Sequence, residues 1–336
     1  MILMSAKNQL CILEDDLTVN DVKDMTPVIG TASMYASAVD SEGNFYISGT
    51  RKNYKLDSTL TLIPGWGTNG YVVTEFVYKS RGLAVDSNGN LLVAHYDDYN
   101  NNYVSASLFD AFGVRQWTVN VYGAPYRDMY ACFFDDAGDC YVAGKYGAYK
   151  LSKIDGARLV TYQTSDTIYA FRPVPGSTDV IVGDDYLKRY ANDGTLLGSH
   201  GVNLYSPQAM AIKADGTAYL ASRRYYGGYK SVWRLDWSGS SFSIGASYYT
   251  GSYTYAINLD ADGNVIVVGS PSGGANIWKL DPDLNLIDSA LPYDYYAYTV
   301  LANVTVETAE PFTPPIDVNY KKRVAAISGG KFYYEE

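Results

Sequence analysis

The stretch GLAVDSNGNLLVAH (82–95) reads as alternating small and apolar residues, an Asp, a turn built on Gly89, and a second apolar alternation ending in small residues. Period-two alternation on both sides of a turn whose Gly or Asn tolerates positive φ is a β-hairpin signal. The same phrase recurs as ASAVDSEGNFYISG (36–49), ACFFDDAGDCYVAG (131–144), AMAIKADGTAYLAS (209–222) and AINLDADGNVIVVG (256–269). Weaker copies are FRPVPGSTDVIVG (171–183) and VAAISGGKFYY (324–334). The turn glycines Gly43, Gly89, Gly138, Gly176, Gly216, Gly263 and Gly329 follow one another at steps of 46, 49, 38, 40, 47 and 66 residues. Seven units of about 48 residues therefore account for the 336-residue chain.

A second phrase, apolar run, acid, turn, apolar run, follows each of the first six units. It stands at YKLDSTLTLI (54–63), SLFDAFGVRQW (107–117), SKIDGARLV (152–160), KRYANDGTLL (188–197), WRLDWSGSSF (233–242) and WKLDPDLNLI (278–287). The seventh copy, CILEDDLTV (11–19), lies at the opposite end of the chain from Gly329. Four antiparallel strands per unit, with the last unit assembled from both termini, predict a closed ring: an all-β, seven-bladed β-propeller of four-stranded antiparallel blades. One domain over 1–336 is expected, with residues 1–25 and about 320–336 forming the closing blade and a loop insertion within 288–320. Closure leaves no terminal edge for the array to cap.

The units resemble NHL-type and delta-60-type propeller repeats, most clearly LDSTLTLIPGWGTNGYVVTEF followed by GLAVDSNGNLLVAHY within 56–96. That resemblance implies a propeller and little about activity, because one fold hosts many functions.

Composition narrows the function classes. A net charge of −10 opposes nucleic-acid binding, which draws affinity from a basic stripe, and Arg223-Arg224 and Lys321-Lys322-Arg323 are too short to reverse it. No run approaches the roughly 20 apolar residues of a membrane helix, so no membrane insertion is expected. The start MILMSAKNQL lacks a basic n-region followed by an apolar h-region, and synthesis in the cytoplasm without a signal peptide is expected. Cys11, Cys132 and Cys140 have no metal-ligand spacing and read as buried free thiols.

Tyrosine is in excess, with 34 residues against 10 Phe, 5 Trp and 2 His. In an up-and-down meander the glycine and acidic turns fall on one face, and the remaining connections fall on the other. Those connections carry YDDYNNNY (96–103), RRYYGGYK (223–230), YYTGSYTY (248–255) and PYDYYAY (292–298). Tyrosine gives a large, rigid, amphipathic contact at low entropic cost. A binding face is therefore expected at Tyr96, Tyr99, Tyr103, Arg223, Arg224, Tyr225, Tyr226, Tyr229, Tyr248, Tyr249, Tyr293, Tyr295 and Tyr296.

No catalytic or metal-binding set is singled out. Asp260, Asp262 and Asn264 invite a calcium reading, but the glycine comes fourth and no bidentate Glu follows, so a hairpin turn is the expectation and no cofactor is assigned. Asp193-Gly194-Thr195 and Asp215-Gly216-Thr217 partly resemble the Asp-box turns of sialidase propellers but lack the tryptophan that follows. Asp97, Asp98, Asp294 and Glu307 are loop carboxylates without a distinguishing pattern, and His95 and His200 have no motif linking them to a nucleophile. The expectation is a non-catalytic platform whose partners are other virion or scaffold proteins, or a surface glycan. Its tyrosine-rich, histidine-poor repeats resemble virion accessory proteins of tailed bacteriophages: fibre, tail or head decoration. The rivals are a glycan-active or lactone- or lyase-type propeller enzyme and a non-viral scaffold.

Overall fold

The computed structural model describes residues 2–6, 8–29, 33–74, 79–96, 106–121, 129–135, 137–145, 147–164, 167–200, 204, 207–222, 231–272, 275–292, 297–301, 324–327 and 332–334. They form seven four-stranded antiparallel sheets arranged as a propeller, with one four-residue helix, Thr26–Ile29, among the described residues. The innermost strands are Ser37–Val39, Lys79–Val85, Met129–Phe134, Ala170–Pro173, Pro207–Ile212, Thr254–Leu259 and Ala297–Leu301, taken here as blades one to seven. Each packs against the next, and the seventh returns to the first, so the strands encircle an axis.

The hairpin turns form as their residues require. Gly43, Gly89, Gly138, Gly176, Gly216 and Gly263 all take φ between 72° and 87°, a region that side chains with a Cβ disfavour. Before each of four of these turns, Asp40, Asp86, Asp135 and Asp260 accept hydrogen bonds of 2.8–3.0 Å from the backbone N–H groups two and four residues on.

The second strands, such as Phe45–Ser48, Cys140–Gly144 and Ala218–Ser222, are buried along their whole length, because neighbouring sheets cover both faces. Each blade interface has its own apolar cluster. Tyr46, Trp66 and Leu91 join blades one and two, and Phe133, Tyr141, Phe171 and Tyr190 join three and four. Part of the tyrosine excess is therefore core: Tyr46, Tyr141, Tyr149, Tyr162 and Tyr219 are all fully buried.

Ring closure combines both ends of the chain, as the displaced CILEDDLTV copy predicts, but the C-terminal contribution differs. The seventh blade runs Ala297–Leu301, Ile2–Ala6, Gln9–Leu13, Val19–Asp24 from the axis outward. Its seam pairs Leu3 with Leu301 and Met4 with Val300. Val324–Ile327 and Phe332–Tyr334 do form the expected hairpin, but as a separate two-stranded sheet, and the stretch expected as insertion contains the closing strand. The physical reason is that a strand paired across the seam has no turn leading to its partner, so it carries no Asp and no glycine. In the first blade the outer strand is Tyr71–Val73 rather than the apolar end of YKLDSTLTLI, because Pro64-Gly65 ends that run and returns Trp66 to an edge-on contact with Tyr46 at 5.6 Å.

Candidate binding site at the mouth of the central channel

The seven innermost strands surround a channel of about 500 Å³. Near the start of the innermost strands of the first six blades stands one half-buried residue followed by a small one: Tyr35-Ala36, Arg81-Gly82, Tyr130-Ala131, Tyr169-Ala170, Gln208-Ala209 and Tyr255-Ala256. All twelve line the channel. In blades two, three, five and six the pairing register skips Arg81, Tyr130, Gln208 and Tyr255, so each is a β-bulge, and in the closing blade the register skips residue 298. A bulge re-aims the side chain of its extra residue and is a recurrent device beside binding sites. The following residue is small because the strands converge there. A Cβ on Gly82 would lie 3.0 Å from the Ala94 Cβ and 3.1 Å from the Cys132 backbone N.

Because the innermost strands run from this ring towards the Asp-containing turns, the ring opens on the opposite face. That is also where the longer connections join the blades: the strands bounding 97–105 and 223–230 end or begin there. Lys79 Nζ lies 4.9 Å from the Tyr35 ring centroid and Arg81 Cζ lies 5.6 Å from it, so two cations approach one aromatic ring. Tyr130 and Tyr169 pack with centroids 4.4 Å apart.

Three residues beyond Tyr169, Arg172 lines the channel and donates to the Phe171 carbonyl at 3.2 Å. It is exposed to water in the lumen yet ringed by protein, and this burial pulls its guanidinium below the ordinary range while leaving it a cation. Cys132 also lines the channel, but burial pushes its thiol up to about 12, so it supplies no thiolate at neutral pH. The described lining holds two arginines and no Asp, Glu or His.

Of the sequence-predicted binding residues, Tyr99, Tyr103, Arg223, Arg224, Tyr225, Tyr226, Tyr229, Tyr293, Tyr295 and Tyr296 lie outside the described residues. Tyr96 is the last residue of Leu91–Tyr96, and Tyr248 ends the outer strand Phe242–Tyr248, where burial raises its phenol. Tyr249 follows it, 39% exposed. The channel ring is a set that the sequence reading missed. Its signal is one residue upstream of the five clear hairpin phrases, at Tyr35, Arg81, Tyr130, Gln208 and Tyr255, and two residues upstream of the 171–183 copy, at Tyr169, where in each case a small residue follows.

The histidines also gain partners that sequence did not show. His95 Nε2 lies 2.8 Å from Ser107 Oγ, which lies 2.7 Å from Thr118 Oγ1, and the imidazole is fully buried. Burial lowers His95 to about 3, so this Ser–His pair offers no general base to solvent. His200 Nδ1 sits 3.0 Å from the Phe242 carbonyl. The Asp260 carboxylate accepts from Asp262 N, Asn264 N and Asn264 Nδ2 and lies 3.0 Å from Lys279 Nζ. Among the described residues no three His, Cys, Asp or Glu side chains converge as a metal-ligand set.

No protein-family model matches the sequence, and no curated protein matches it. Among solved structures the chain is similar to the WD40 β-propeller domain of Doa1, with a TM-score of 0.58 over 89% of each chain and 12% identity. At that identity the likeness is one of fold, and the chain is a seven-bladed β-propeller with a WD40 propeller as structural neighbour.

Proposed function

We propose that the chain is a non-catalytic platform that engages a protein partner through the face around the mouth of its channel. One observation carries this reading: six blades each place a half-buried Tyr, Arg or Gln at the same point of the innermost strand, four of them tyrosine. A ring of rigid amphipathic side chains over a fixed scaffold is suited to recognition, and tyrosine and arginine are the residues that dominate binding energy at interfaces.

The test is direct titration of a captured and identified partner against wild type, Tyr130→Ser and Tyr255→Ser. Each substitution should weaken binding about tenfold or more, with the melting temperature nearly unchanged. Unchanged affinity in both variants would place the interface elsewhere. The finer reading, a virion accessory protein of a tailed bacteriophage, rests on composition and repeat style. Mass spectrometry of purified particles tests it.

A further inference from the structure

We infer that blades one and two enclose an internal hydration site, an occluded group of ordered water molecules held by Asn53 and Thr74 from the first blade and by Ser80 and His95 from the second. The inference goes beyond the platform reading and does not depend on it.

Pairing register puts the four side chains on facing sides of one interface. Val72 of blade one and Leu91 and Val93 of blade two belong to the same apolar cluster. Asn53 pairs directly with Val72 and so shares its face, because residues opposite one another in a sheet point the same way. Thr74 follows two residues after Val72 and continues the ladder, its N–H donating to the Arg51 carbonyl at 3.0 Å. His95 stands two residues beyond Val93 in Leu91–Tyr96 and pairs directly with Ser80. Both rows therefore extend the apolar cluster towards the mouth of the channel, with polar side chains in place of apolar ones.

These side chains are closed off from bulk solvent. Asn53, Ser80 and His95 are 0% exposed and Thr74 is 2% exposed. Even so, Asn53 Nδ2 and Oδ1, Thr74 Oγ1, Ser80 Oγ and His95 Nδ1 have no hydrogen-bond partner among the described residues. Buried polar atoms in folded proteins are almost always bonded, to protein or to water, because an unmet group keeps its full desolvation cost.

The sixth blade shows what direct closure looks like. Thr254 holds the same position as Ser80, immediately before the residue that the register skips in its innermost strand. Its Oγ1 reaches the preceding blade, 2.9 Å from the Ser222 carbonyl and 3.1 Å from the Ser231 carbonyl. The Ser80 hydroxyl makes no such bond, so an intermediary is needed to join it to blade one.

The donor set identifies that intermediary. The Asn53 amide presents a donor and an acceptor side by side, and each hydroxyl can serve as either. A cation satisfies only acceptors and an anion only donors, whereas water satisfies both. No charge in the set calls for an ion, since burial lowers His95 to about 3 and keeps it neutral. Water also fits either tautomer of His95, whose Nε2 is engaged by Ser107. Five such atoms, at about three hydrogen bonds per buried water, call for about two molecules.

The experiment combines water–protein cross-relaxation NMR with denaturant unfolding of the full chain. The Asn53 amide and the His95 ring protons should show the cross-peaks to water that mark a long-lived bound molecule. In Asn53→Leu the His95 cross-peak should be lost, and the unfolding equilibrium constant should rise about tenfold as the remaining groups lose their water. In a dry interface the same substitution removes an unpartnered amide and stabilises the fold. Ser80→Ala, a smaller change that keeps the test open if the leucine variant does not fold, should raise the constant about fivefold. Together the two should cost less than the product of their separate effects, since both act through the same molecules. A wild type without these cross-peaks, an Asn53→Leu variant at least as stable as wild type, or strictly multiplicative effects overturn the inference.

Discussion

His95 shows how burial decides the chemistry of a single side chain. Its imidazole is completely enclosed, bonded through Nε2 to Ser107, and lowered from 6.5 to about 3. Between those values the unfolded chain binds a proton that the folded one refuses, so stability present above 6.5 is lost as pH falls towards 3. The full effect is at most about 5 kcal/mol. We expect His95→Gln to flatten the melting temperature against pH across that window, and parallel curves for variant and wild type would refute the assignment. Nothing in the sequence announced the contact, because residues 95 and 107 meet only across a strand pair. The cysteines were legible, by contrast. Cys11, Cys132 and Cys140 are all buried and free, as odd number and spacing suggested, and burial raises each thiol.

At the scale of the hairpin, a buried cation recurs beneath the Asp turn. Lys55 lies 3.3 Å from Asp40, Lys150 3.1 Å from Asp135 and Lys279 3.0 Å from Asp260. Burial alone would raise Asp260, but hydrogen bonds from Asn264 and Lys279 outweigh it and hold the carboxyl below its usual value. Its stabilising share is therefore complete at neutral pH and is lost as the solution is acidified below 3.8. Lys279→Met should cost about 3 kcal/mol in denaturant unfolding, since it strands a buried carboxylate. Adding Asp260→Asn should recover part of that loss, and strict additivity would argue against coupling. These turns were readable because Asp and Gly in fixed order serve the backbone itself. The channel ring was not readable as a site, because a bulge is a property of pairing register: the sequence shows a Tyr before an Ala but not that the partner strand skips it.

On the scale of the whole ring, each blade reaches towards the turn joining the outer two strands of the next. Gly67 N donates to the Phe112 carbonyl, Trp117 Nε1 to Lys153, Tyr141 Oη to Asn192 Oδ1, Tyr219 Oη to Pro282 and Lys279 Nζ to Asp15. Arg189 stacks 4.9 Å from the Trp237 ring, and Lys23 completes the circuit by donating to the Thr59 and Leu60 carbonyls of the first blade. The closing blade is thus latched on both sides, though its inner strand and the other three come from opposite ends of the chain. Deleting residues 1–6 should uncover the edge of Ala297–Leu301 and the apolar surface covered by Ile2 and Met4. We expect a fall in melting temperature with concentration-dependent association by light scattering, and a monomer of unchanged stability would contradict the closure described. That N-terminal strands complete the last blade was legible from one displaced phrase. The identity of the C-terminal strand was not, for want of a turn.

The same seam orders events in time. During synthesis Ile2–Ala6 emerges long before its inner partner, Ala297–Leu301. Their pairing therefore spans a very large sequence separation, a contact of the kind that slows folding because loop closure precedes any gain. Until then the first strand presents an open edge, which the 297–301 segment of a second copy fits as well as its own. Crowded refolding should therefore yield exchanged dimers joined at this seam, and dilution should favour the closed ring.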